Sequence, residues 1–466
     1  MRRRLALLAA CALIGGCSLD PAYRRPDAPV PSSLPVGEAY PPGGTGPAAD
    51  GVAWRAFFVD AKLKSVIALA LAQNRDLRVA VANIKASRAQ YVIQRSALLP
   101  HLTGSAGEFY ERIPAGASGS PRALDERDYT AEAGISAWQI DLFGHIASLS
   151  RAAREQYLAT EDARRAVQTS LISEVATDYF TLAADRQLLA VARQTLASQQ
   201  SSLQVTQARF NAGQASGLDV DQAQTTVQQA RSDVAQDLTN AAQAKNALDL
   251  LVGAATPETD LPDGLQTTQG EVAALAPGTG SEVLLRRPDV LEAEHQLKAA
   301  NANIGAARAA FFPTLSLTAQ GGQESTALSN LFSAASRTFL FEPTLSQPIF
   351  DAGQNIGSLR YAKAERDVAV AQYEKAIQTA FREVADALAR QGTIGEQLSA
   401  QQALVAASDE ALKLSNARYE RGADTYLNVL IAERSLYAAR QSLIATQMAA
   451  LANAVALYQA LGGGQT

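Results

Sequence analysis

From His145 to Ala212 the chain contains neither glycine nor proline, and its apolar residues keep a seven-residue beat: Val175, Leu182, Leu189, Leu196, Leu203 and Phe210. A run of that length predicts one helix on the order of 100 Å long, at 1.5 Å per residue. A globular core does not bury such a helix, so the spacing predicts coiled-coil packing along other helices, with left-handed supercoiling. Gly213 and Gly217 then offer a turn, and the beat resumes at Val220, Val227, Val234, Ala241 and Leu248. The pattern reads as an antiparallel helical hairpin.

The same hairpin recurs 209 residues later. Val384, Leu398, Val405, Leu412 and Tyr419 keep the register, with Gln391 as the one polar substitute. Gly422 takes the place of Gly213, and Val429, Leu436, Leu443, Ala450 and Leu457 follow. The turns align as "ARFNAGQASGLDV" with "ARYERGADTYLNV". A match at fixed offset over this distance marks an internal duplication.

Shorter helical runs precede each hairpin, and both end alike. "SALLPHLTG" (Ser96 to Gly104) and "AAFFPTLSL" (Ala309 to Leu317) put two large apolar residues before Pro100 and Pro313 and a leucine two residues after. Proline disfavours helix in the residue before it, so Leu99 and Phe312 extend and a strand begins. Each half then offers two strands of roughly ten residues joined by a polar loop, about 101–141 and about 314–350. Alternation is clear at Leu315, Leu317 and Ala319. The lengths suit tilted transmembrane β-strands, which need about 9–11 residues. Four such strands cannot stand in lipid as an open sheet, because the edges leave backbone groups unpaired; they must close with strands of other copies.

The N-terminus adds an address. Arg2, Arg3 and Arg4 precede the apolar run Leu5 to Ile14 and the small pair Gly15-Gly16, so residues 1–16 read as a signal peptide. Cys17 after Ile-Gly-Gly resembles a bacterial lipobox, in which the cysteine becomes the acylated first residue; Ser18 in place of aspartate points to the outer membrane. Such a lipid anchors a chain without spanning the bilayer. Residues 17–60 hold a proline-rich stretch and read as an extended arm. The first repeat is then 61–270 and the second 271–466. After cleavage Cys17 is the only cysteine, which excludes a structural disulfide within the mature chain.

The net charge of -5 and the lack of a dense Lys/Arg cluster argue against a nucleic-acid binder. His101, His145 and His295 are scattered, and no metal-ligand spacing, nucleophile motif or phosphate loop is present, so nothing points to an enzyme or a cofactor beyond the lipid on Cys17. Arg286-Arg287-Pro288-Asp289 reads as a helix start, with proline and an acidic residue in the first turn.

These features carry a family likeness. "LLRRPDVLEAEHQLKAANANIGAARAAFFPTLSLTAQGG" (Leu284 to Gly322), "WRAFFVDAKLKSVIALALAQNRDLRVA" (Trp54 to Ala80), the joints "QIDLFG" and "QPIFDAG", and the tips "GLDVDQAQ" and "YLNVLIAERSL" together resemble the TolC family of outer-membrane efflux proteins, specifically the lipoprotein outer-membrane factors of tripartite, RND-type pumps. The resemblance covers nearly the whole mature chain in order. It implies a mainly α chain with a membrane β-barrel. Its duplicated coiled-coil hairpins would form a trimeric α-barrel, and its four strands would contribute to a 12-stranded outer-membrane β-barrel. It implies a homotrimer that is a passive exit duct for small toxic compounds such as drugs, solvents or metal ions. A periplasmic adaptor and an inner-membrane RND-type transporter would dock at a mouth closed at rest.

The resemblance places that gate at the hairpin tips, Gly213 to Thr225 and Tyr419 to Arg434. Asp219 and Tyr419 match a polar pair that links the inner hairpin to its neighbours. Leu427 and Arg434 match a leucine and an arginine that constrict the mouth. Ile431 and Asn428 stand where relatives are often acidic, leaving Asp424 and Glu433 as the nearby carboxylates. Rings of equivalent side chains around a threefold axis narrow a pore and set its ion selectivity. Two other readings of the same residues are an exit duct for type I protein secretion and a pore-less, lipid-anchored coiled-coil scaffold; the scaffold leaves the four ten-residue segments without a role.

Overall fold

The structure is a computed structural model that describes residues 18–41, 52–119, 121–265 and 280–463. Cys17 lies outside the described residues, as does the signal. The elements are α1 (Trp54–Phe57), α2 (Ala61–Gln73), α3 (Arg75–Ser96), β1 (Leu102–Ile113), α4 (Ala115–Ser118), β2 (Leu124–Ile140), α5 (His145–Asn211), α6 (Gly217–Val252), α7 (Pro288–Ala309), β3 (Thr314–Ser325), β4 (Arg337–Ser346), α8 (Gln354–Glu420) and α9 (Tyr426–Ala460). The duplication is exact in length for the long helices: α5 and α8 have 67 residues each. The helices before the proline joints, α3 and α7, have 22 each.

The chain forms two compact units, one from residues up to Pro26 with Asn83–Thr160 and Glu292–Tyr373, the other from Asp27–Ala82, Glu161–Leu291 and Glu374 onward. The first unit holds an antiparallel sheet in the order β1-β2-β3-β4. Its helices stop as the proline joints predict: the Leu99 N–H bonds the Ser96 carbonyl and the Phe312 N–H the Ala309 carbonyl, single tight turns before the strands. Phe312 stacks on Phe143 at 4.7 Å, closing the joint between the two repeats.

The pleat sorts the sheet into two faces. One cross-strand row reads Leu102, Ile135, Ala319, Phe341, and the rows below it read Trp138, Leu317, Pro343 and Ile140, Leu315, Leu345. The opposite face carries Gln139, Ser316, Thr344 between those rows, and beyond the first row Thr103, Gly134, Gln320, Leu340 and Ser105, Glu132, Gly322, Thr338. The apolar face stays open in the single chain, with Leu102 79%, Phe341 61% and Leu345 66% exposed. Two features depart from expectation. β2 is 17 residues long, and its pairing with β3 slips between Ile135 and Trp138. There Ala137 takes φ 50° and its N–H bonds the Thr318 hydroxyl. A bulge of this kind bends a strand and raises its twist.

The same unit holds the start of the arm against α5 and α7. Asp20 accepts from the Ser148 hydroxyl and from Arg151, while the Pro21 and Leu19 carbonyls accept from Asn301 and Arg308. Gly305 leaves the space that Asp20 fills. Arg25 and Lys298 both pair with Glu294, which is buried. The two ion pairs hold the Glu294 carboxyl below its usual range against the opposing effect of burial, and the same burial, with Glu294 beside it, pushes the Tyr23 hydroxyl far up.

The second unit packs the hairpins. Along α5 the seven-residue stripe is fully buried at Val175 and Leu182, nearly so at Leu189, and 44% exposed at Phe210, so the seam opens toward the tip. At the other end α2 buries Leu63, Val66, Ile67 and Ala70. Gly253 caps α6 with φ 78°, and a Cβ there would sit 2.7 Å from the Gln73 carbonyl oxygen. The arm is not wholly extended: Trp54–Phe57 is a helical turn, and Phe57 stacks on Tyr458 at 4.1 Å. Arg287 is buried before the proline that opens α7, bonded to Asp289, Glu383 and the Ala460 carbonyl, the structural role its sequence suggests. Helix α9 is the one helix among the described residues long and apolar enough to cross a membrane, yet it buries Val429, Leu430, Leu436 and Val455 in the protein.

Candidate functional site: the hairpin tips

Both tips use one turn. At the end of α5, Gly213 with φ 72° bonds the Phe210 carbonyl and Gln214 bonds that of Arg209. At the end of α8, Gly422 with φ 70° bonds Tyr419 and Ala423 bonds Arg418. This is the Schellman ending, in which a left-handed residue lets the last carbonyls find donors, and glycine adopts it without strain. Gly217, expected as part of the turn, opens α6 instead.

The helices that follow start differently. Ser216 caps α6 in a capping box: its hydroxyl accepts from the Asp219 N–H at 3.2 Å, and the Asp219 carboxylate accepts from the Ser216 N–H at 2.9 Å. The equivalent residues at α9 are Thr425 and Asn428, and Thr425 makes no side-chain cap. Asp424 replaces the box. It accepts from the Thr425 N–H, from the Asn428 amide and from Arg418 at 3.1 Å. Those bonds, the backbone one foremost, hold the Asp424 carboxyl below its usual range.

The tips pack on one another. Ala223, Tyr426, Val429 and Leu430 form a buried cluster, flanked by Leu203, Leu412 and Tyr419. Tyr419 and Tyr426 meet with ring centroids 5.3 Å apart, and the Arg209 guanidinium lies 4.5 Å from the centre of the Tyr419 ring. Arg209 also reaches the Tyr419 carbonyl, so it ties the first tip to the second. Cation–π contacts of this kind contribute about 0.5–1 kcal/mol at exposed sites.

One turn deeper runs a polar bridge. Gln199 of α5 donates to the Glu433 carboxylate of α9 at 2.7 Å, and the Thr226 hydroxyl of α6 donates to the Gln199 carbonyl oxygen at 2.8 Å. Gln199 and Thr226 are both buried. Burial pushes the Glu433 carboxyl up, against the lowering effect of Gln199, and burial with Glu433 nearby pushes the Tyr426 hydroxyl up to about 12.

The expected gate residues therefore separate. Glu433 turns into the seam and Asp424 into its own turn. Asp219 caps α6, and Tyr419 packs in the cluster. Leu427 and Ile431 are 50% and 53% exposed, and Arg434 is exposed, at positions i, i+4 and i+7 of one α9 face. Among the described residues no ion pair holds Arg434. Sequence reasoning missed Gln199, Thr226 and Arg209. Gln199 and Thr206 carried a signal: each lies three residues after a leucine of the stripe, at the second core position of the heptad, where a polar residue fixes register at a cost in stability.

Comparison with known proteins agrees with this architecture. The outer membrane efflux protein family model matches residues 66–254 and 279–463, one segment per repeat. The antibiotic efflux pump outer membrane protein ArpC and the toluene efflux pump outer membrane protein TtgC, both of Pseudomonas putida, are each 44% identical over 461 residues, covering 99% of this chain and 95% of theirs. Among solved structures, a membrane protein from Pseudomonas aeruginosa matches with TM-score 0.89 and 42% identity, over 96% of this chain and 98% of that one. The open state of the Neisseria gonorrhoeae MtrE outer membrane channel matches with TM-score 0.87 and 34% identity, over 97% and 99%.

Proposed function

Because this chain belongs to the outer membrane efflux protein family and is the outer-membrane channel component of an efflux pump, we propose that three copies close their four-stranded sheets into one 12-stranded barrel and their hairpins into a helical tube. The tube is a passive exit duct. Its cargo is small toxic compounds, antibiotics and solvents foremost, as the names of the two relatives suggest. A periplasmic adaptor and an inner-membrane RND-type transporter hand the cargo over, and the transporter supplies the energy. Cys17 carries the lipid that ties the arm to the outer membrane, and no other cofactor is needed.

The observation that carries the reading is a four-stranded antiparallel sheet with an exposed apolar band at its joint end, at Leu102, Phe341 and Leu345, and two free edges. In lipid those edges must be paired, and closure with other copies pairs them. At the tips, Leu427, Ile431 and Arg434 of each copy line the closed mouth, while Asp219 and Tyr419 help link neighbouring hairpins. Native mass spectrometry of the detergent-solubilised protein, with conductance in planar bilayers, tests this. A trimer that conducts ions is the expected result; a stable monomer that leaves bilayers impermeable would replace the duct with a scaffold.

A further inference from the structure

A cavity of about 320 Å³ lies within the second unit, between α5, the end of α6 and the end of α9. Its polar side comes from a short stretch of α5: Ser173, Glu174, Thr177 and Asp178. Its other side is apolar, with Leu251 of α6 and Val455 and Ala456 of α9, and α9 adds the Gln459 amide. The Tyr179 hydroxyl donates to Asp60, the N-cap of α2, at 2.7 Å. At 3.6 residues per turn Thr177 stands about 160° around α5 from Tyr179, so the cavity faces away from α2.

Two observations set this cavity apart from an ordinary acidic surface. Glu174 and Asp178 stand at i and i+4, where like charges repel, and among the described residues neither pairs with a lysine or arginine. Glu174 accepts from the Ser170 hydroxyl at 2.8 Å, and burial, with Glu174 beside it, pushes the Asp178 carboxyl up. The second observation is Ser173. It is 3% exposed, it lines the cavity, and its hydroxyl has no hydrogen-bond partner among the described residues. A buried hydroxyl in that state is costly, and proteins seldom keep one without a use.

We propose that this cavity binds small organic cations, with the ammonium among the Glu174 and Asp178 carboxylates and the Ser173 hydroxyl, and the apolar body against Leu251, Val455 and Ala456. A cation there relieves the repulsion between the two carboxylates, and its N–H donates to Ser173. A metal ion fits less well: among the described residues no group of three or more His, Cys, Asp or Glu is placed to hold one, and the apolar wall offers it no ligand. The volume is near the low end for ligand pockets, about 300–1,000 Å³, which suits a single ring with a short arm. A passive duct needs no binding site, so the inference goes beyond that reading; that the bound cation is cargo rests on it.

The probe is phenethylammonium, one ring on a short ammonium arm, with 2-phenylethanol as its neutral counterpart. Saturation-transfer NMR on the full-length protein in detergent follows both, with protein-free micelles as the blank. We expect saturable binding of the cation, about tenfold or more tighter than of the alcohol, the difference a charged hydrogen-bond partner makes. Glu174→Gln with Asp178→Asn should weaken the cation by about tenfold or more and leave the alcohol unchanged. Both substitutions keep side-chain shape, and removing a carboxyl charge that burial already disfavours does not threaten the fold. Ala456→Leu is the second variant. Ala456 is exposed, so the larger side chain crowds the cavity without entering the core, and it should weaken the cation with both carboxylates in place. Equal binding of cation and alcohol, or a double variant that holds the cation as tightly as the unchanged protein, overturns the site. Native mass of the same samples keeps the two readings apart: a trimer without saturable binding strikes the site alone, and a monomer that binds strikes the duct and leaves the site.

Discussion

The bridge between Gln199 and Glu433 joins the two hairpins through side chains, so cutting it should loosen the tips selectively. Gln199→Ala removes the hydrogen bond to the Glu433 carboxylate and the one from Thr226. A bond to a charged group contributes about 1.5–3 kcal/mol and a neutral one about 1. Thr226 keeps a bond to the Ala223 carbonyl at 2.8 Å, which reduces the second loss. The sum is about 3 kcal/mol of local stability. Amide hydrogen exchange on the detergent-solubilised protein reads it directly, because local opening sets exchange there. At about 1.4 kcal/mol per tenfold, protection near Gln199, Thr226 and Glu433 should fall on the order of 100-fold, and amides of the β-sheet should not change. In a double-mutant cycle with Glu433→Ala, the coupling should be about 1.5–3 kcal/mol at neutral pH. Additivity within about 0.5 kcal/mol would mean that the bridge is a contact of no energetic consequence, and the link between hairpins would rest on the apolar cluster alone.

Three further outcomes follow from the same geometry. Burial raises the Glu433 carboxyl, so its contribution to stability is complete below the unfolded carboxylate range and is lost as pH rises through the folded value. Glu433→Gln should flatten the pH dependence of tip protection, with its largest stabilising effect above neutrality; an equal effect at acid pH would contradict the cause given. Arg434→Ala removes an exposed charge from each copy and should raise conductance in planar bilayers, whereas unchanged conductance in properly inserted trimers takes Arg434 out of the gate. Gly253→Ala forces a Cβ against the Gln73 carbonyl at φ 78° and should cost about 1–3 kcal/mol, seen as faster exchange at the end of α6; Gly213→Ala, with open space around its Cβ position, should cost less.

The hairpins were legible because a seven-residue beat and two turn glycines survive duplication, and the joints because proline ends a helix in a way the sequence displays twice. The bulge at Ala137 was not legible. Alternation reports which face a residue takes, but an inserted residue shifts that phase without leaving a mark in composition. The helical turn at Trp54–Phe57 was hidden by the prolines before it. The tips were legible as turns, but the directions of their side chains were not. Asp424 and Glu433 both read as acids near a tip, yet one side chain turns to its own backbone and the other enters a seam, and those choices depend on Arg418 and Gln199, whose partners lie across turns or on another hairpin.

Duplication also explains why one chain is unfinished. Each repeat offers a proline joint at one side of its strand pair and a strand-to-helix joint at the other. Two repeats in one chain make one meeting of unlike ends, and Phe143 on Phe312 fills it. The remaining two ends, at Leu99 and at Ile349-Phe350, cannot meet within a chain whose strands lie in the order β1-β2-β3-β4. The tips follow the same logic. The first keeps a self-contained capping box at Ser216 and Asp219, while the second gives it up for the Asp424 network and carries the exposed stripe of Leu427, Ile431 and Arg434. Where the two hairpins diverge, the first keeps its helix cap and sets Gln222 and Thr225 where the second sets the exposed Ile431 and Arg434, while Leu218 and Leu427 are exposed on both.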